Sequence, residues 1–162
     1  MQLKMQTYGA IRLLLYLTLN KGFTATKDIA AATGISEFVL PRIAKKLRDA
    51  KWITSSVGNT GGYCLVANSA DISLWNVMQI MENTVPIHGC AEEISCDCQN
   101  IPLTSPAYEI YAGYDEITEW YFSAVKISDL LEADGFECIY RKTVEAVQKN
   151  IDKKILMFET VR

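Results

Sequence analysis

The chain has 162 residues, of which 49% are hydrophobic and 22% charged, so it can bury a real core and is not expected to be disordered. It has no apolar run of transmembrane length and no recognisable signal peptide, so we expect a cytoplasmic protein without membrane contact. The net charge of −3 conceals an asymmetry. Residues 1–66 carry nine Lys and Arg against three Asp and Glu, whereas residues 67–162 carry seven against sixteen. The basic first part is therefore expected to bind a polyanion.

The first predicted element is a helix from Lys4 to Leu19. The apolar residues that recur at helical spacing, and should pack inward, are Ile11, Leu14, Leu15 and Leu19. A helix N-terminus presents free N–H groups to an anion. The residues near this start that we consider candidate phosphate contacts, with plain solvent exposure as the alternative, are Lys4, Thr7 and Tyr8.

A helix-turn-helix pattern follows. Thr26 can cap a helix over residues 27–33, and Gly34 can end it in a left-handed conformation. Ser36 is the predicted cap of a second helix that runs to about Ala50. Two helices joined by a short glycine turn are typical of DNA-binding proteins.

The second of these helices has two faces. The residues expected to point inward are Phe38, Leu40, Ile43, Ala44 and Leu47. The cations expected on the outer side are Arg42, Lys45, Lys46 and Arg48, and such a face suits docking against DNA phosphates, although it is also typical of a solvated helix. Pro41 would be the fifth helical residue after a Ser36 cap. Either the first turn is therefore loose or the helix starts later.

A β-hairpin is predicted next, with strands over residues 52–57 and 63–66 around the turn Gly58–Gly62. Helix, turn, helix and hairpin together form a winged helix. We therefore predict a mainly α fold with a small β-wing, in which residues 1–83 are the DNA-binding domain. The domain ends with a helix from Leu74 to about Asn83, capped by Ser73 and buried along Leu74, Val77, Met78 and Met81.

Two further regions complete the chain. Residues 84–106 have no helical period and are predicted to be a cysteine-containing sensor loop. Residues 107–162 are predicted to be a helical dimerisation region, with helices over 107–125 and 140–158 and a short helical continuation over 126–131. The apolar stripe that is too aromatic for one helix to bury alone, and therefore favours a homodimer, contains Ile110, Tyr114, Ile117 and Tyr121.

The sensor loop concentrates potential metal ligands within eleven residues. They are His88, Cys90, Cys96 and Cys98. Soft thiolates favour an iron–sulfur cluster, with zinc as the alternative. The same thiols also suit a switch that oxidises to a disulfide, although the neighbouring acids oppose thiolate formation. Cys64 is expected to be a wing residue, where oxidation would affect a DNA-facing hairpin, and Cys138 is expected to be structural.

Several of these motifs together resemble the winged-helix regulators of the IscR, NsrR and CymR family. The matching segments are Ile35–Glu37, Ile43 with Lys46–Leu47, Gly58–Tyr63, Ile72–Leu74 and Val125–Leu130. They span roughly residues 1–131, and the Gly58–Tyr63 wing motif is the most specific. The remaining thirty or so residues look like an extension.

The resemblance implies a homodimer whose long helices cross between subunits, a cysteine loop able to hold an iron–sulfur cluster, and DNA contacts from the second helix and the wing. The DNA contacts carried over by position are Ser36, Arg42, Lys45, Lys46, Asn59, Thr60 and Gly61. We add Thr26, which lies at the start of the first of the two helices. The sequence departs from the family at Val57 and Cys64, where basic residues are common, so the wing carries less charge.

The function predicted from the sequence is therefore a DNA-binding transcription regulator, repressor or activator. It would bind a palindromic operator as a homodimer and respond to a cluster or redox signal at the cysteine loop. The alternatives are a cluster-free regulator that senses thiol oxidation, a small molecule or a protein, and an iron–sulfur electron carrier. An enzyme is the least favoured class, because the sequence has no phosphate-binding glycine loop, no dinucleotide fingerprint and no nucleophile elbow.

Overall fold

The computed structural model describes residues 4–58, 61–82, 106–132 and 136–160. In chain order the elements are α1 (Met5–Leu19), α2 (Thr26–Thr33), α3 (Leu40–Asp49), β1 (Ile53–Ser56), β2 (Gly62–Leu65), α4 (Leu74–Glu82), α5 (Pro106–Ser123) and α6 (Phe136–Thr160). This confirms the predicted mainly helical fold with a small antiparallel hairpin. The predicted sensor loop, residues 84–106, lies almost entirely outside the described ranges, so its bounds stay predictions.

None of the helices in the described part of the chain is both long enough and apolar enough to cross a bilayer.

Helix α1 is the centre of the core and packs against α2, α3, α4 and β2. Its fully buried apolar positions are Ala10, Leu13, Leu14 and Leu17. The observed buried face therefore differs from the predicted one, with which it shares only Leu14. Because each residue turns the helix by about 100°, Leu19 lies opposite this buried face and is 68% exposed, whereas Ile11 and Leu15 are only partly buried against the core. Gly9 lets α3 approach closely, since an added Cβ would lie 2.7 Å from Ile43 Cδ1.

The start of α2 differs from the prediction, whereas its end does not. Ala25 is the N-cap and makes no side-chain capping bond, so Thr26 is the first helical residue and not the cap. Gly34 ends the helix as predicted. It has φ of +70°, and its N–H donates to the carbonyl of Ala30 at 2.9 Å.

Helix α3 begins four residues after the predicted cap. The Ser36 carbonyl accepts hydrogen bonds from the backbone N–H groups of Val39 and Leu40, at 2.9 and 3.0 Å, and this turn leads into the helix. Pro41 is then the second helical residue, where the missing N–H has no intrahelical partner to lose. The prediction that Phe38 points inward is wrong, because its side chain in this turn is 95% exposed.

Thr24, in the α1–α2 connection, helps to attach the hairpin to the rest of the fold. Strands β1 and β2 pair in a register that sets Ile53 opposite Leu65. Thr24 exchanges two backbone hydrogen bonds with Tyr63, at 2.9 and 3.0 Å. Gly62 has φ of +140°, and an added Cβ would lie 1.9 Å from the Thr24 carbonyl oxygen. Only glycine therefore allows the hairpin to dock here.

Helix α4 has the predicted cap and most of the predicted buried face. The Ser73 hydroxyl accepts the backbone N–H of Asn76 at 3.1 Å, and the Asn76 side-chain oxygen accepts the N–H of Ser73 at the same distance. The residues that the helix buries are Trp75, Val77, Met78 and Met81. Trp75 was missed, whereas the predicted Leu74 is only half-buried.

The segment after α5 returns to the winged helix. The carbonyl of Val125 accepts the N–H of Leu74, and the N–H of Ile127 donates to Ile72, both at 2.9 Å. Residues 126–131 therefore form a bridge and turns, and the predicted helical continuation is wrong. The turn is held by Asp129, whose carboxylate accepts the Lys126 N–H at 2.7 Å.

Helix α6 packs along α5 and is anchored at two points. Near its start, the Lys142 ammonium lies 2.7 Å from the Asp129 carboxylate. Further along, Lys154 forms an ion pair with Glu116 of α5. Burial alone would raise the pKa of Asp129, but the hydrogen bonds from Lys142 and Lys126 lower it overall. These ion pairs hold the extension against the rest of the chain.

Candidate nucleic-acid interface

The outward stripe of α3 is the surface that most resembles a DNA-reading face. The buried side of the helix contains Leu40, Ile43, Ala44 and Leu47. At about 100° per residue, positions 38, 42 and 45 lie within roughly 60° of one another on the opposite side. The structure exposes all three, namely Phe38, Arg42 and Lys45. The outward stripe, defined by these three residues, combines two cations with one aromatic ring.

The remaining two predicted cations of α3 lie off this stripe. The Arg48 guanidinium donates to the Ser55 hydroxyl of β1 at 2.8 Å, so it lies beside the wing. The Lys46 ammonium donates to the carbonyls of Ile80 and Met81, at 3.1 and 2.9 Å. A cation at a helix C-terminus stabilises both the free carbonyls and the helix dipole. Lys46 therefore joins α3 to the end of α4, which differs from its predicted outward position.

The end of α4 is also joined to the start of α1 through Glu82. Its carboxylate accepts the backbone N–H of Lys4 at 2.9 Å, and it lies 3.2 Å from the Lys4 ammonium. The hydroxyl of Thr7, which is fully buried, donates to the same carboxylate. Burial alone would raise the pKa of Glu82, but the bonds from Thr7 and Lys4 outweigh it and lower the pKa.

Two of the candidate phosphate contacts on α1 are thus engaged with Glu82, whereas Tyr8 is half-exposed on the same helix. Sequence reasoning missed Glu82. Its position could have indicated the contact. Glu82 lies at the C-terminus of α4, where a carboxylate interacts unfavourably with the helix dipole unless cations or hydrogen-bond donors surround it.

The other predicted DNA contacts are distributed between exposed and half-buried positions. Ser36 is exposed beside the outward stripe, and Thr26 is half-buried at the start of α2. In the wing, the N–H of Gly61 donates to the Gly58 carbonyl at 2.9 Å. The predicted contacts Asn59 and Thr60 lie outside the described residues. Val57, at the start of this turn, is fully exposed and places an uncharged side chain at the wing.

The predicted metal ligands His88, Cys90, Cys96 and Cys98 all lie in residues 83–105, outside the described part of the chain. Within the described ranges, no group of three or more His, Cys, Asp or Glu side chains is arranged to hold a metal ion. The thiols of Cys64 on β2 and Cys138 on α6 are unpaired, the first half-buried and the second exposed.

The predicted dimerisation stripe on α5 is largely exposed in a single chain. Ile110 is 71% exposed, Tyr114 and Ile117 are each 45% exposed, and Tyr121 is half-buried with its ring edge against Phe122. Tyr111 adds to the same exposed area. Helix α6 packs on α5 but leaves this stripe largely uncovered. An exposed apolar surface of this kind is typical of a protein–protein contact.

Comparison with known proteins identifies the family. Residues 3–133 match the Rrf2 family, described as iron-dependent transcriptional regulators. Protein aau3 of Rhizobium meliloti is 31% identical over 137 residues, which cover 82% of this chain and 86% of the relative. The regulator NsrR of Geobacillus kaustophilus is 29% identical over 134 residues, covering 82% and 90%.

A solved structure of T. potens IscR has the same fold. Its TM-score is 0.62 at 18% identity, and the alignment covers 85% of this chain and 96% of the other. The resemblance inferred from the sequence is confirmed, as is the prediction that the chain is not an enzyme. All of α6 lies beyond the residues that match the family. The winged helix and α5 lie within them, and the chain therefore belongs to the Rrf2 family of transcriptional regulators.

Proposed function

We propose that this regulator binds duplex DNA as a homodimer, with α3 in the major groove and the wing beside it, under the control of an iron–sulfur or redox signal at Cys90, Cys96 and Cys98. The observation that carries the DNA-binding part is the outward stripe of α3. It exposes cations directly opposite the buried face, on a helix that packs firmly against α1.

Most contacts of this surface would be with DNA phosphates and would position the duplex. Arg42 and Lys45 are the principal phosphate ligands, because both are exposed cations on the stripe. Ser36, Thr26, Tyr8 and the wing residues 59–61 would flank them. Lys46, Lys4 and Thr7 would instead hold the domain together, because their polar groups bond to the end of α4.

The dimer would form through the exposed stripe of α5. A second copy can cover the same residues about a two-fold axis, which is the usual symmetry of a homodimer. The two α3 helices would then face two successive major grooves, so the operator should be an inverted repeat.

Selection from random duplex DNA tests this proposal. Full-length protein, purified without oxygen, should enrich a palindromic sequence whose half-site centres are about one helical turn apart. Replacing Arg42 and Lys45 together with methionine should abolish the enrichment, while Lys149→Met with Lys153→Met on α6 provides a charge-matched control. Enrichment that survives the loss of Arg42 and Lys45 would place the DNA-binding surface elsewhere.

The donor set of the sensor loop fits an iron–sulfur cluster better than an oxygen-ligated metal. Three thiolates would come from Cys90, Cys96 and Cys98, and His88 is the candidate fourth ligand. When bound, such a cluster supplies a centre that oxidants or nitric oxide can destroy. The family's description as iron-dependent supports this assignment, and zinc is the alternative metal.

The contacts at the end of α4 support a route from this loop to the DNA. The loop follows closely after Glu82, the last residue of α4. Just before the loop, the carbonyls of Ile80 and Met81 accept hydrogen bonds from Lys46 of α3. The Glu82 carboxylate accepts hydrogen bonds from Lys4 and Thr7 at the start of α1. A ligand that changes the position of the chain after Glu82 would act on two helices of the DNA-binding domain. This is a two-state mechanism in which the cluster favours one arrangement.

Anaerobically purified protein should therefore be coloured and should contain iron and sulfide in near-stoichiometric amounts. Alanine at Cys90, Cys96 or Cys98 should greatly diminish the colour, because each removes a ligand. Alanine at Cys64 or Cys138 should leave it unchanged, and His88→Ala reports on the fourth ligand. Visible spectroscopy with metal and sulfide analysis provides the measurement. Colourless protein without iron or zinc that binds DNA at full affinity would favour a thiol switch or a small-molecule sensor instead.

A further inference from the structure

Phe38 is the most exposed large aromatic side chain of the described residues, at 95%, so its ring is not part of the core of a single chain. It lies in the turn that Ser36 begins and that continues into α3 through the hydrogen bond from the Leu40 N–H to the Ser36 carbonyl. Val39 has helical backbone angles, with φ of −86° and ψ of −34°, so the spacing of about 100° per residue extends back to Phe38 and aligns it with Arg42 and Lys45. The ring therefore faces the same direction as the two cations.

The charges on the stripe itself indicate which end contacts DNA, since the exposed Glu37 next to Phe38 lies about 100° around the helix from the stripe. Asp49 is exposed on the same side one turn beyond Lys45, and its carboxylate would repel phosphates at the C-terminal end. Arg42 and Lys45 lie in the middle, and Phe38 lies at the N-terminal end, where a recognition helix brings its residues to the base edges. Phe38 would thus enter the groove while the cations hold the flanking phosphates.

We propose that Phe38 is a specificity-determining residue that reads the 5-methyl group of thymine in the major groove. The inference rests on the proposed DNA-binding function and deepens it. A phenyl ring has no hydrogen-bonding group for guanine, cytosine or adenine edges, and the thymine methyl is the apolar feature of the major groove. A half-site with thymine under Phe38 is favoured because binding removes both the ring and the methyl from water.

The test compares thymine with deoxyuracil, which pairs with adenine in the same way but lacks the methyl group. Full-length protein first selects a sequence from random duplex DNA, and each thymine of a half-site is then replaced in turn, symmetrically in both half-sites. Fluorescence anisotropy at fixed salt gives the affinity. At one position, loss of the methyl should weaken binding by about fourfold in each half-site.

Phe38→Ala should bind the thymine and deoxyuracil duplexes equally, and more weakly than the wild type binds the thymine duplex. The fold should be unaffected, since the side chain is almost fully exposed, and circular dichroism checks this. Leu19→Ala, an exposed apolar residue at the end of α1 that is outside the proposed DNA contacts, is the matched control and should keep the wild-type discrimination.

Equal affinity of the wild type for thymine and deoxyuracil at every half-site position would overturn the inference, as would full discrimination by Phe38→Ala. In either case the selected sequence still stands as evidence for the proposed function. A protein that enriches no DNA sequence at all would overturn the proposed function and this inference with it.

Discussion

Replacing Lys45 with methionine should make DNA binding markedly less sensitive to salt, whereas the same replacement of Lys46 should not. If a dimer neutralises about six phosphates, the logarithm of its affinity falls with the logarithm of salt concentration at a slope of about −5. A fourfold increase in salt then weakens binding about a thousandfold. Two copies of Lys45, each on one phosphate, account for about two units of that slope.

Lys46 provides the internal control, because it is the neighbouring lysine of the same helix. Its ammonium bonds to the carbonyls of Ile80 and Met81, so Lys46→Met removes a contact within the protein. We expect an unchanged salt slope and a free energy of unfolding lower by about 1 kcal/mol, the usual size of a cation–helix-terminus interaction. Salt titrations by anisotropy and denaturant unfolding measure the two effects. If Lys46→Met instead made DNA affinity less dependent on salt without lowering the free energy of unfolding, Lys46 would be a DNA contact as first predicted.

Changing Ile117 and Tyr121 together to lysine should convert the dimer to monomer. Four lysines would meet across the two-fold axis, where each would lose hydration and face like charges. Because operator binding needs both half-sites, DNA affinity should fall by several powers of ten at nanomolar protein. Sedimentation at micromolar concentration measures the mass, which for one chain is 18.1 kDa.

Two further variants separate loss of assembly from loss of folding. Ile110→Lys changes a residue that is 71% exposed in the single chain, so it should weaken the dimer without affecting the helix. Val66→Lys changes an exposed apolar residue just after the wing, away from α5, and should remain dimeric. Circular dichroism verifies that each variant is folded. Wild-type protein that sediments as a monomer at micromolar concentration would contradict the α5 interface.

The elements and their order could be predicted from the sequence because the local signals are strong. Gly34 alone specifies the end of α2, since its left-handed conformation is costly for other residues. The glycines around the wing and the capping Ser73 likewise act within a few residues of the positions they control. The asymmetric charge and the apolar stripe of α5 were also visible, because they depend on composition and on helical spacing.

Tertiary structure decided which side of each element is used. Helical spacing sets Lys46 about 100° away from Lys45, but only the arrival of the α4 C-terminus gives the Lys46 ammonium two carbonyl partners. Phe38 is the exception, because it was expected inside on account of its apolar side chain, although at about 100° per residue it already lies opposite Leu40 and Ile43. Thr7 is buried beside Glu82, 75 residues away in sequence. Such contacts arise from the packing of distant segments, and helical periodicity contains no information about which segments will meet.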